Sequence, residues 1–314
     1  MPRVVVLDDY QGRAHEFADW SALGADVEFV RDHLGEEDLV AVLAGAEIAV
    51  AMRERTAFSR RVLEQLPDLR LLVTTGMSNA SIDVAAALER GVVVCGTRSN
   101  ASNTTELTWA LILAAVKRVV AEDAALRAGR WQSSICGDLS GKTLGLIGLG
   151  RLGAAMLPVA NAFRMRVVAW SQNLTEARTT ELGVELVSFE TLLAESDVAS
   201  IHLRLSERTR SLIGAAELAQ MRPSAILVNT SRGPIIDERA LVDALRARII
   251  GGAALDVYDE EPLPPDHPLL ALDNTVLAPH LGYVSEDNFA VHYGEAVEDI
   301  AAFLSGSPLR ALEV

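Results

Sequence analysis

One stretch leaves this chain few folds to choose from. Between Lys142 and Gly153 an apolar run, Thr143–Ile147, meets three glycines spaced G-x-G-x-x-G, at Gly148, Gly150 and Gly153, and then a helical pattern. Gly148 permits a tight turn, Gly150 lets the backbone approach a pyrophosphate, and Gly153 lets the new helix pack closely on its strand. The helix N terminus offers unpaired N–H groups to the anion. The motif alone is weak. Here it has the required strand–turn–helix context, and Arg166–Trp170 supplies a following strand, so a dinucleotide site is favoured over a structural Gly-rich turn.

A dinucleotide fold needs aliphatic strands under helices, and the composition fits. The 314 residues are 50% hydrophobic but only 5% aromatic, enough for two domains with separate cores. The formal charge of -15 lies in no long single-sign run and argues against nucleic acid or an anionic membrane surface as a partner. Cys95 and Cys136 share no metal-ligand spacing, so no metal site is expected. Met1 leads straight into a strand without a charged leader, and no apolar run approaches the roughly 20 residues of a membrane span. The reading is a reduced, cytoplasmic protein.

Before the fingerprint, short β-rich runs alternate with helical ones. The strands are Arg3–Leu7, Val27–Val30, Glu47–Ala51, Leu69–Val73 and Val92–Cys95, and the helices are 36–43, 60–66 and 82–89. This predicts a parallel α/β domain without a phosphate fingerprint. Its strand ends, Asp8–Tyr10 and Thr74–Asn79, lie where such sheets bind ligands, although turn chemistry explains them as well. From Ser102 a long apolar helix is expected through Ala121; Thr105 and Glu106 near its start face a cleft or simply cap the helix. After the fingerprint come strands at 184–187, 198–203, 225–229, 252–256 and 275–277, as in a doubly wound sheet. A last amphipathic helix, 285–304, returns to the first domain. The expected architecture is α/β, with two Rossmann- or flavodoxin-like domains of parallel strands: 1–100 plus 284–314 for substrate, and an inserted 101–283 for the dinucleotide.

Three residues stand at strand ends of the second domain. Arg232 follows Ile226–Ser231 in a turn closed by Gly233-Pro234, which suits a guanidinium holding a carboxylate; alone, it would more often be a surface ion-pair partner. Glu261 lies just beyond Asp256–Tyr258, and His280 follows Thr275–Pro279. A carboxylate beside an imidazole favours the imidazolium and fixes the tautomer, leaving the other nitrogen to exchange a proton with substrate. His15, His33, His202, His267 and His292 have no such setting and default to surface or packing roles.

These pieces together resemble the D-isomer-specific 2-hydroxyacid dehydrogenases over almost the whole chain, in the glyoxylate/hydroxypyruvate reductase and short phosphoglycerate dehydrogenase style. The motifs are 148–153, 229–237, 254–262 and 279–282, in the family's order and approximate spacing. The resemblance implies that Arg232 orients a 2-oxo acid, that His280 is the acid/base and Glu261 its partner, and that hydride passes between substrate C2 and a nicotinamide. It also implies that Asp256 bonds the carboxamide, that Arg151, Leu152, Leu203, Thr209, Thr230, Ser231, Gly282 and Thr105 line the cofactor, and that backbone N–H groups of Met77, Ser78 and Asn79 bind the substrate carboxylate. A homodimer, formed through the fingerprint domain and the helix near 104–121, is implied as well.

The chain departs from the family in several places. Where NAD-specific members end the second fingerprint strand in an acidic residue, this chain has Trp170, Ser171, Gln172 and Asn173. No carboxylate there repels a 2′-phosphate, yet the arginine common in NADP-selective sites is also missing; the balance tips slightly to NADP(H) over NAD(H). Arg204 stands where many members have proline, adding a cation near the adenosine end or sitting in solvent. The expected reaction is reduction of a small 2-oxo acid to its D-2-hydroxy acid, or the reverse, in the cleft between domains, with closure excluding water. The alternative is a non-catalytic NAD(H)-sensing, protein-binding module of the same fold. Glu261 in place of Gln argues against a formate dehydrogenase-like enzyme.

Overall fold

The computed structural model describes residues 1–313. They divide into two compact units, Met1–Asn100 with Val284 onward, and Ala101–Tyr283. The first unit holds β1 (Arg3–Val6), β2 (Asp26–Phe29), α1 (Glu36–Val42), β3 (Ile48–Ala51), α2 (Arg60–Glu64), β4 (Leu71–Thr74), α3 (Val84–Glu89) and β5 (Val93–Gly96). The strands form one parallel sheet in the order β2-β1-β3-β4-β5. Every residue of β3 and β4 is buried, as continuous aliphatic runs demand of strands covered on both faces.

The second unit opens with α4 (Ser102–Val116) and α5 (Val119–Arg127). It continues through β6 (Thr143–Ile147), α6 (Arg151–Ala155), α7 (Leu157–Ala162), β7 (Arg166–Trp170), α8 (Glu176–Leu182), β8 (Glu185–Leu186), α9 (Phe189–Glu195), β9 (Val198–Ile201), α10 (Ala215–Leu218), β10 (Ile226–Asn229), α11 (Glu238–Arg246), β11 (Gly252–Leu255) and β12 (Thr275–Leu277). The seven strands run parallel in the order β12-β11-β10-β9-β6-β7-β8. Successive strands step outward from β6 in opposite directions, so the end of β6 is the topological switch point of a doubly wound sheet. The fold class is the α/β one that the strand and helix pattern predicts. The last helix, α12 (Glu286–Leu304), is capped by Ser285, whose hydroxyl accepts the Asn288 N–H, and it belongs to the first unit.

One expectation fails. The single helix predicted from Ser102 to Ala121 is two helices, broken at Arg118, which takes the left-handed φ of 54°. Lys117 caps the first, and its ammonium binds the Gly137 carbonyl and the Asp138 carboxylate, each within 2.8 Å. Apolar spacing carries no mark of one left-handed residue, because both helices keep an apolar periodicity.

Candidate active site

The fingerprint glycines have different neighbours. Gly148, at φ 106°, lies so close to the next strand's end that a Cβ would sit 2.5 Å from the His202 carbonyl. A Cβ on Gly153 would meet the Gly148 carbonyl at 2.2 Å, so the helix can approach its strand only without a side chain there. Gly150 has nothing within 4 Å of its virtual Cβ and is exposed. The backbone is thus bare on one side, and the first N–H groups of α6, from Arg151 and Leu152, lack carbonyl partners as at any helix start. These residues fit a pyrophosphate. The Gly148 N–H donates to the Trp170 carbonyl at 2.8 Å, bringing Ser171 beside the turn, with Gln172 and Arg151 exposed.

Beneath this turn His202 Nε2 lies 3.0 Å from the Ser200 hydroxyl. Burial pushes the imidazole down to about 4, so it is neutral and serves packing. Leu203 packs on the core and Arg204 is exposed. The Thr209 hydroxyl is taken up locally, donating to the Arg204 carbonyl at 2.7 Å and accepting the Ser206 N–H at 2.8 Å.

The three neighbouring strands β10, β11 and β12 run in register, Asn229 beside Leu255 and Leu255 beside Leu277, so the residues after them share one edge of the sheet. After β10, the Asn229 side chain folds the turn: its amide donates to the Arg232 carbonyl at 2.9 Å and its oxygen accepts the Ser231 N–H at 3.0 Å. The Ser231 hydroxyl donates to the Ile201 carbonyl at 2.8 Å. Arg232 Nη1 donates to the Ser231 carbonyl at 2.7 Å, and Gly233 follows because a Cβ there would lie 2.0 Å from the Tyr258 carbonyl. After β11, the buried Asp256 accepts the Leu281 and Gly282 N–H groups at 2.6 and 2.9 Å. That carboxylate therefore fixes the segment following His280.

His280 Nδ1 stands 2.6 Å from Glu261 Oε2, with the side chains only 15% and 19% exposed. The other oxygen, Oε1, accepts the Tyr258 N–H at 3.0 Å, and the Tyr258 hydroxyl donates to the Ala278 carbonyl at 2.9 Å. Burial pushes that phenol upward, so it stays protonated. The Tyr283 ring meets the imidazole edge-on at 5.6 Å. His280 itself has φ 52°, a conformation that costs a non-glycine residue about 1 kcal/mol or more and that clusters at functional sites.

Residues of α4 that the sequence did not single out also reach this edge. Asn103 donates to the Leu281 carbonyl at 3.1 Å, Thr104 to the Gly282 carbonyl at 2.7 Å, and the Thr108 and Thr230 hydroxyls pair at 2.8 Å. Thr105 instead turns its hydroxyl back to the Ala101 carbonyl at 3.5 Å. The Ser/Thr/Asn-rich start of the helix was the available signal, but which residue faces the strands depends on helix phase.

In the first unit the loop after β4 is held from behind. The Gly76 N–H donates to the Thr97 hydroxyl at 3.1 Å, and the buried Asn79 amide donates to the Arg53 carbonyl and the Thr74 hydroxyl. Arg53, after β3, donates its N–H to the Thr75 hydroxyl at 2.9 Å, and its guanidinium lies against Gly76. Among the described residues, the main-chain N–H groups of Met77, Ser78 and Asn79 have no hydrogen-bond partner. Asp8, at φ 58°, accepts the Thr56 hydroxyl at 2.7 Å, and burial raises its carboxyl.

A glycine turn at the switch point of a doubly wound parallel sheet is an arrangement suited to a dinucleotide. The family model for the D-isomer specific 2-hydroxyacid dehydrogenase NAD binding domain matches residues 109–282. The chain is 44% identical over 255 residues to a glyoxylate reductase of Aeropyrum pernix, covering 78% of this chain and 76% of that one. It is 36% identical over 291 residues to a D-3-phosphoglycerate dehydrogenase of Archaeoglobus fulgidus, covering 91% of this chain but only 55% of that one. Among solved structures, a phosphoglycerate oxidoreductase from Vibrio cholerae superposes with a TM-score of 0.94 at 34% identity, over 98% of this chain and 100% of that one. The chain belongs to the D-isomer-specific 2-hydroxyacid dehydrogenase family, whose similarity supports a nicotinamide-dependent 2-hydroxyacid dehydrogenase. Among the described residues no helix is long and apolar enough to cross a membrane.

Proposed function

We propose that the protein reduces a small 2-oxo acid to its D-2-hydroxy acid, glyoxylate being the first substrate to test because a relative is named for it. The observation that carries this is the 2.6 Å contact of His280 Nδ1 with Glu261 at the edge shared with Arg232. Glu261 accepts from Nδ1, so Nδ1 carries a proton in either charge state and Nε2 is the nitrogen that gives one to the substrate oxygen. Arg232 binds the substrate carboxylate and balances charge developing on the oxygen. The N–H groups of Met77, Ser78 and Asn79 are proposed to bind a substrate carboxylate as a main-chain nest. The nicotinamide, when bound, supplies or accepts the hydride at C2. Thr230, Ser231, Leu203, Thr209, Asp256 and Gly282 are proposed to flank it.

The cofactor preference follows from Ser171 and Gln172 beside the glycine turn. Neither repels a 2′-phosphate, and the exposed Arg151 and Arg204 are cations on the same sheet edge, so we propose that NADPH is accepted, with a slight advantage over NADH. A homodimer is also proposed. Val119, Val120, Leu126, Trp131 and Ile135 are 55%, 56%, 57%, 76% and 97% exposed within one short stretch, and large apolar side chains left in solvent are of the kind that a second copy covers.

A substrate panel of glyoxylate, hydroxypyruvate and pyruvate, run with NADH and NADPH, tests the reading together with His280→Asn. The variant should lose about 10²- to 10⁴-fold in kcat while retaining cofactor affinity. Turnover near wild type in that variant would remove His280 from the chemistry, and no turnover of any 2-oxo acid by the wild-type protein would overturn the reading.

A further inference from the structure

The segment that carries Glu261 runs from Tyr258, three residues past the end of β11, to a 3-10 turn at Pro268–Ala271. Both of its ends are tied to a single carboxylate. Glu238, the first residue of α11, accepts the Asp259 N–H through Oε2 at 3.2 Å, and its Oε1 lies 3.0 Å from His267 Nε2. The other imidazole nitrogen, Nδ1, accepts the Leu269 N–H at 3.3 Å. With Nδ1 accepting that N–H, Nε2 is the nitrogen that faces Glu238 as donor. The two side chains are only 16% and 20% exposed. Glu238 is itself held in place, because the preceding Asp237 caps α11 by accepting the Ala240 N–H at 3.0 Å. The charged groups around this staple include Asp237, Asp259 and Arg210, with Arg239, Asp243 and Arg246 of α11 lining the same hollow as Glu238 and His267. His280, at the other end of the chain of contacts, faces Glu261 and the Tyr283 ring, with Asp256 bonded to the two residues that follow it.

We infer that Glu238 and His267 are positioning residues for the reaction: they close the 259–267 segment and thereby set how Glu261 meets His280. The inference rests on the proposed role of His280. Glu261 lies between the two tied points, and a shift of about 1 Å at a catalytic contact is enough to cost on the order of 100-fold in rate. The contacts of Glu238 and His267 are to Asp259, Leu269 and each other, so the effect is carried through the segment to the Glu261 contact.

The test is the pH profile of kcat for reduction, which needs protonated His280 and therefore falls on the alkaline side. His267→Leu removes the donor. Glu238→Gln places an amide N–H against one of two N–H donors, because a glutamine side chain has one accepting oxygen where the carboxylate has two. Both should lower kcat about ten-fold with the cofactor KM unchanged, and both should move the alkaline limb to lower pH by about one unit as the imidazolium loses its carboxylate. His267→Gln keeps a donor near the position of Nε2 and should restore the limb. A wild-type limb in both H267L and E238Q, whatever their melting temperatures, overturns the inference, provided that H280N is inactive. An active H280N would instead strike at the His280 reading. If H267L does not accumulate as folded protein, the limb of E238Q decides.

Discussion

His280 and His202 show how two imidazoles in one unit take different chemistry from their surroundings. His280 meets a carboxylate, Glu261, at 2.6 Å. His202 meets a neutral hydroxyl, that of Ser200, and burial holds it down at about 4. The latter has a consequence for stability. A histidine depressed in the folded state is unprotonated there while the unfolded chain takes up a proton near 6.5. Its contribution is present above pH 6.5 and is lost as the pH falls toward 4, at roughly 1.4 kcal/mol per pH unit. His202→Gln keeps a partner for Ser200 and cannot titrate, so its melting temperature should fall less than that of wild type between pH 6.5 and 4.5. Parallel curves for the two proteins would show that His202 titrates normally. Residue types and spacing made His280, Glu261 and Arg232 legible as strand-end candidates. The hydrogen bonds of His267 were not legible, since Glu238 is 29 residues away in the chain.

At the scale of elements, the turn from β6 to α6 separates two demands that the motif writes as one. Gly153 is required by packing, because an added Cβ falls 2.2 Å from the Gly148 carbonyl. Gly150 is required by nothing in the protein, since its virtual Cβ has no neighbour within 4 Å. Gly153→Ala should therefore destabilise the fold by about 1–3 kcal/mol, as overpacking does. Gly150→Ala should leave the denaturation midpoint within error of wild type yet weaken NAD(P)H binding, measured by nucleotide fluorescence titration. Equal affinity in Gly150→Ala and wild type would mean that the pyrophosphate does not approach this residue. The helix at 102–127 gives the complementary lesson. Its apolar content was visible in the sequence, but the break at Arg118 was not, and neither was the phase that turns Asn103 and Thr104, rather than Thr105, toward the Leu281–Gly282 segment.

For the whole molecule, the apolar side chains left in solvent matter most. Ile135 at 97% and Trp131 at 76% exposure lie close in sequence to Val119, Val120 and Leu126, in a chain whose formal charge of -15 otherwise favours solvation. Covering such residues by a second copy removes the cost of hydrating them. The proposed dimer should appear in sedimentation or light scattering at micromolar concentration. A Trp131→Arg, Ile135→Asp double variant should run as a monomer of about 34 kDa with its α/β circular dichroism intact. A wild-type monomer, or a variant that remains dimeric, would exclude this face as the interface.

The sequence by itself determined the α/β class, the family and the place of the glycine turn after β6. Strand and helix periodicities and glycine spacing are local, and a residue's neighbours in the chain suffice to express them. Only the tertiary structure decided which oxygen of Glu261 meets His280, that Asp256 is bonded to the main chain after that histidine, and that one carboxylate of α11 ties both ends of the segment between. Those contacts are set by strand register and helix phase. Both are properties of packing between distant stretches, and a one-residue change in either redirects every side chain concerned.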